Sequence, residues 1–289
     1  MTERLPETQN WIATGHISRR AAIAGSAALT GYALAAGPVG AQAITTDTKG
    51  LDAGWTTIPA ADGVALRAYR ARPADVKTAP LLLVSPEIFG LHAWVQDICR
   101  RFAKAGYDAI AVDPFQRQGD PTKITEIPAL VRDIVSKASD AQVMSDLDAT
   151  VAFASRSGGD AKRLAITGFC WGGRVTWLYA AHNPAVRAGV AWYGRVTGKP
   201  TELQPMVPIE LVERINAPVV GLYGTRDRGI PVTDVEAMNA ALKAAGKPSE
   251  LRLFEADHGF LADYRPSYAP EAAKEAWAQA LAWLQRHTA

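Results

Sequence analysis

Cysteine is nearly missing from this 289-residue chain: Cys99 and Cys170 are its only two. One falls in a helical pattern and the other in a glycine-rich turn, so a disulfide framework is not expected. No Cys or His pair has zinc-ligand spacing, and no metal or other cofactor is indicated. An excess of one charge is lacking too, since 31 basic against 29 acidic residues leave +2 and no Lys/Arg block stands out. Nucleic acid is therefore not an expected partner. The charge-free run from Ala21 to Thr46 is too rich in glycine to make a membrane span, so no stable membrane insertion is expected. Internal repeats are absent, as is any linker that would divide the chain beyond its first 43 residues. What remains is an ordinary apolar fraction of 48%, the composition of a soluble globular enzyme.

The first 43 residues read as a leader. Ser18-Arg19-Arg20 precedes a weakly apolar run of alanine and glycine that ends near Ala41-Gln42-Ala43. Paired arginines, a mild hydrophobic middle and an A-x-A site describe a twin-arginine export signal, which implies a periplasmic or secreted protein. The alternative is a disordered extension on a cytoplasmic one. A single domain is expected over 44–289, working as a monomer or a small homo-oligomer.

Along that domain, Trp55–Ile58 and Val64–Arg70 alternate apolar and polar residues around Ala61-Asp62-Gly63, an edge hairpin. Leu81–Val84, Ala109–Val112, Arg163–Thr167, Ala188–Tyr193, Pro218–Tyr223 and Glu250–Phe254 are the remaining expected strands, several of them continuous apolar runs of the doubly buried type. Helical spacing marks Ala93–Ala105, a stretch around Val143, Leu147 and Val151, one beginning at Arg174, one around Val235–Ala245, and Pro270–Arg286. The polar segment Gln116–Lys137, broken by Pro121 and Pro128, is expected to loop over the strand ends with short helices. Strand–helix alternation implies an α/β fold, a mainly parallel sheet with helices on both faces.

Between a strand and a helix stands Gly168-Phe169-Cys170-Trp171-Gly172-Gly173. Strand, Gly-x-Cys-x-Gly, helix is the pattern of a nucleophile elbow, with cysteine where serine is usual. An isolated copy fits a buried structural cysteine equally, so the partners decide. A nucleophile needs a base. His16 lies in the leader, His287 near the carboxyl end, and His182 at a helix end that it would cap. His92 stays open. His258, in the loop after a strand, is best placed, because open α/β sheets carry their sites at the strands' carboxyl ends. An orienting acid should lie between nucleophile and base. Asp227 in Gly224–Pro231 fits, with Asp257 as rival.

Pro86-Glu87-Ile88-Phe89-Gly90, the Cys170 elbow, Gly224–Pro231 and His258-Gly259-Phe260 together resemble the dienelactone hydrolase (carboxymethylenebutenolidase) family. The resemblance runs from about Gly54 to the carboxyl end. It implies the α/β-hydrolase fold and cleavage of a lactone or small carboxylic ester through a Cys170, Asp227, His258 triad. It also implies that Glu87 accepts the thiol proton as substrate binds, and that the N–H groups of Ile88 and Trp171 form the oxyanion hole. The family's carboxylate-binding arginine, four residues past the histidine, is replaced here by Ala262. The nearest arginine, Arg265, either binds a substrate carboxylate or ties its loop to the last helix from the surface. A non-catalytic or redox-responsive homologue is the competing expectation.

Overall fold

The computed structural model describes residues 45–289, so the expected export leader lies outside the described residues. The strands are β1 (Leu51–Pro59), β2 (Ala65–Pro73), β3 (Ala79–Ser85), β4 (Asp108–Val112), β5 (Gly159–Phe169), β6 (Val186–Trp192), β7 (Val219–Gly224) and β8 (Glu250–Phe254). They form one 8-stranded sheet in the order β1-β2-β4-β3-β5-β6-β7-β8. The hairpin β1–β2 sits at one edge, and both its inner pairing and the β2–β4 pairing are antiparallel. All other pairings are parallel. The expected apolar runs are buried: Leu81, Leu82, Leu83 and Val84 in β3, and Ala188, Val190, Ala191 and Trp192 in β6.

The helices are α1 (Ala93–Lys104), α2 (Ile127–Asp133), α3 (Asp140–Ser155), α4 (Trp171–His182), α5 (Val232–Ala244) and α6 (Pro270–Thr288). Local chemistry sets their ends. Ser139 caps α3 by accepting the Gln142 N–H at 3.1 Å. Arg101 and Lys104 fall in the last turn of α1, where cations suit the helix dipole. Proline opens α6, where its missing N–H has no partner to lose. The Gln116–Lys137 segment holds α2 and two short 3-10 turns, as its prolines suggested.

Two crossover directions put helices on both faces. The chain steps from β3 outward to β4 through α1, then back past β3 to β5 through α3, and onward to β8. Right-handed crossovers in opposite directions place α1 on one face and α3, α4 and α5 on the other. Helix α6 joins α1, with the rings of Phe102 and Trp277 4.6 Å apart. The reversal falls between β3 and β5, which are paired neighbours with Ser85 opposite Gly168. Clefts for ligands open beyond the strand ends at such a reversal. Glu87 lies two residues beyond Ser85 and Cys170 two beyond Gly168, so the register itself brings them to one place.

Candidate active site

Cys170 joins β5 to α4 with φ 58 and ψ −116. A left-handed backbone at a non-glycine residue costs about 1–3 kcal/mol and persists only where its surroundings impose it. Those surroundings are contacts of bare backbone. A Cβ at Gly168 would overlap the Gly172 carbonyl, and one at Gly172 would overlap the Ser85 carbonyl and stand 2.6 Å from that of Pro86. Glycine at 172 therefore lets the start of α4 rest against the end of β3. The Cys170 N–H donates to the Trp192 carbonyl at 3.0 Å, and its own carbonyl accepts from Gly173 at 3.0 Å. Cys170 is completely buried.

His258 donates from Nδ1 to Oδ2 of Asp227 at 2.6 Å. Asp227 is fixed in turn, its Oδ1 accepting the N–H groups of Gly229 at 2.8 Å and Ile230 at 3.1 Å. The rival Asp257 is exposed and faces Arg226 at 3.5 Å. Burial works against a charged His258 ring. Hydrogen bonds with Asp227 and Cys170, and the negative charge near it, outweigh burial and raise the ring to about 9. His258 thus bonds Asp227 on one side and is under the influence of Cys170 on the other.

Glu87 is also wholly buried, with three groups around its carboxylate. Arg265 donates from Nη2 to Oε1 at 2.9 Å. The Tyr264 hydroxyl donates to Oε2 and accepts from Arg265 Nε at 3.0 Å. His92 Nε2 stands 3.6 Å from Oε2. Burial alone would raise this carboxyl, but Arg265, His92 and Tyr264 bring it down to about 2.

Arg265 reaches the site because its loop doubles back. The N–H groups of Ala262, Arg265 and Tyr268 close successive turns onto Gly259, Ala262 and Arg265, at 2.9, 2.9 and 3.1 Å. Its guanidinium lies 5.3 Å from the Phe89 ring centroid and 5.2 Å from that of Tyr264. The alternative of a surface arginine tying the loop to the last helix is therefore overturned: at 3% exposure Arg265 is a buried partner of Glu87. Its Nη1 is buried without a hydrogen-bond partner.

Ile88 is buried directly after Glu87, and Trp171 is the first residue of α4. First-turn amides have no acceptor within their own helix and sit at its positive end. His182 is placed at the end of α4 as expected. Its ring, however, bonds Asp148 at 2.8 Å, and Asn183 takes the cap position. His287 packs on Trp283 at 4.8 Å. Among the described residues, no group of three His, Cys, Asp or Glu side chains is arranged to hold a metal ion. No helix among them is long and apolar enough to cross a membrane.

Sequence reasoning passed over two members of this cluster. Tyr264 stood beside Arg265, but only the folded loop brings its hydroxyl to Glu87. Tyr193, just beyond β6, has φ 38, and its ring meets His258 edge-on at 5.1 Å. Its place at a strand's carboxyl end, next to Gly194, was the available signal.

Known proteins resemble this chain in sequence and fold. The profile described as "Dienelactone hydrolase family" matches residues 66–288. A protein of Methylorubrum extorquens named "Putative carboxymethylenebutenolidase" is 53% identical over 274 residues, 94% of each chain. A crystal structure titled as a putative dienelactone hydrolase from Klebsiella pneumoniae superposes with a TM-score of 0.80 at 50% identity, covering 82% of this chain and 99% of that one. An acylaminoacyl peptidase of Pyrococcus horikoshii shares the fold at a TM-score of 0.67 and 16% identity, over 84% of this chain and 42% of its own.

Proposed function

The chain belongs to the dienelactone hydrolase family and has the α/β-hydrolase fold, and on that premise we propose that it hydrolyses lactones or small carboxylic esters through an acyl-enzyme on Cys170. The observation that carries the reading is the row Cys170–His258–Asp227, with a strained, buried thiol at one end and a fixed carboxylate at the other. In the proposed sequence the Cys170 thiolate attacks the substrate carbonyl. The N–H groups of Ile88 and Trp171 hold the oxyanion, each such donor being worth roughly 100-fold or more in rate. The alcohol end leaves with the proton that His258, charged below about 9, gives it, and His258, now neutral and oriented by Asp227, takes a proton from the water that releases the acid.

Glu87 is the proposed acceptor of the thiol proton. At rest it is committed to Arg265, and a carboxyl held at about 2 is a weak base. A substrate carboxylate that engages Arg265 would release it. The unpartnered Nη1 of Arg265 supports this role, offering a second donor of a guanidinium fork already seated in the site. Carboxymethylenebutenolide, the kind of anionic lactone that the relatives' name implies, fits such an anchor.

The test is hydrolysis of an activated aryl ester and of an anionic enol-lactone by wild type and Cys170→Ala. Loss of both activities with mass-spectrometric trapping of an acylated Cys170 in the wild type is the expected result. Equal rates in the two proteins would refute the reading.

A further inference from the structure

We propose that His92 is a positioning residue for Glu87, and that its charge decides whether this carboxylate can take the Cys170 proton. The proposal rests on Glu87 being the proton acceptor. His92 opens α1, with its N–H donating to the Gly90 carbonyl at 3.0 Å. Its ring is stacked on Trp94 at 6.2 Å and meets Tyr264 edge-on at 5.2 Å. That packing fixes the imidazole and aims Nε2 at Oε2 of Glu87, 3.6 Å away. Nε2 is buried and makes no hydrogen bond, an expensive state for a polar atom that a working cycle would relieve.

The groups facing Glu87 come from every side of the site. Arg265 and Tyr264 lie on the doubled-back loop, Tyr193 beyond β6, Cys170 on the elbow, and His92 at the start of α1. Burial works against Arg265, but Glu87 keeps it charged, while burial together with Glu87 holds Tyr264 and Tyr193 above the ordinary phenol value. Among these partners' side-chain types, imidazole is the one that changes charge between about pH 5 and 8.

The proton bookkeeping then follows. When Cys170 passes its proton to Glu87, a thiolate and a neutral carboxylic acid replace a thiol and a carboxylate, and the net charge is unchanged. The new O–H needs an acceptor, and the lone pair on Nε2 of a neutral imidazole is one. A protonated ring offers an N–H and a positive charge instead. Both favour the carboxylate and oppose the transfer.

The experiment measures kcat/KM on an anionic enol-lactone, whose carboxylate frees Glu87 from Arg265, from about pH 5 to 9 for wild type, His92→Gln and His92→Lys, with Cys170→Ala as control. His92→Gln should exceed the wild type about tenfold at the acid end, and His92→Lys should stay about tenfold below it throughout, since one pKa unit is a factor of ten. A second arm times alkylation of Cys170 by iodoacetamide in the same proteins, whether or not they hydrolyse anything: at the acid end it should be faster in His92→Gln than in wild type and slower in His92→Lys. A uniform loss in His92→Gln with an unchanged profile, or alkylation rates unmoved by both substitutions, would overturn the proposal. Undiminished hydrolysis by Cys170→Ala would instead overturn the function on which it rests.

Discussion

Glu87 and Arg265 are a buried ion pair drawn from the two ends of the domain, at 2.9 Å and almost without exposure. Removing one member strands the other charge. Arg265→Ala should lose about 3–5 kcal/mol of stability in urea unfolding, and the double variant Glu87→Gln/Arg265→Met should recover most of it. Arg265→Lys keeps the charge and loses the planar fork. It should cost anionic substrates about 1.5–3 kcal/mol in kcat/KM and leave neutral esters nearly unchanged. The row ending in Asp227 makes a separate forecast. Asp227→Asn should lower kcat by a factor on the order of 10^4 with the fold intact, because His258 loses its tautomer and orientation. Asp257→Asn, altering an exposed partner of Arg226, should be mild by comparison. Cys170, Asp227 and His258 were legible because each follows its own strand in the right order. Tyr264 and the depth of Arg265 were not, since both depend on three turns whose geometry no periodicity records.

At the scale of elements, the site hangs on how closely α4 approaches β3. A Cβ at Gly172 would meet two main-chain carbonyls, Ser85 and Pro86, which have no flexible end to give way. Gly172→Ala should therefore cost about 1–3 kcal/mol in stability and reduce hydrolysis by moving Cys170 away from Glu87. Thermal melts and steady-state rates of the same sample check both. The elements themselves were readable wherever burial is two-sided, as in Leu81–Val84. The edge hairpin was read too short, 55–58 and 64–70 against Leu51–Pro59 and Ala65–Pro73. At its outer end the ladder sets Leu51 opposite Pro73 and is closed by the Ala74 N–H donating to the Gly50 carbonyl at 3.0 Å, a main-chain bond that ignores side-chain alternation.

For the whole molecule, Glu87 on the acid side and His258 on the alkaline side bound the pH range of stability. Glu87 falls from 4.5 to about 2 on folding, so its contribution is full above 4.5 and is lost as pH drops toward 2. His258 rises from 6.5 to about 9, so its contribution is full below 6.5 and fades as pH climbs through 9. Melting temperature against pH should fall on both flanks, and Glu87→Gln should flatten the acid one. The export signal proposed for the first 43 residues adds a forecast of a different kind, that native material begins near Ile44, which N-terminal sequencing reads directly. The burial of the nucleophile has a consequence of its own. Cys170, Glu87, His258 and Arg265 are all sealed from solvent at rest, so a reagent or substrate meets the thiol only while the fold is briefly ajar. Alkylation of Cys170 by small and bulky reagents then becomes a clock for that opening, and turnover can run no faster than the door swings.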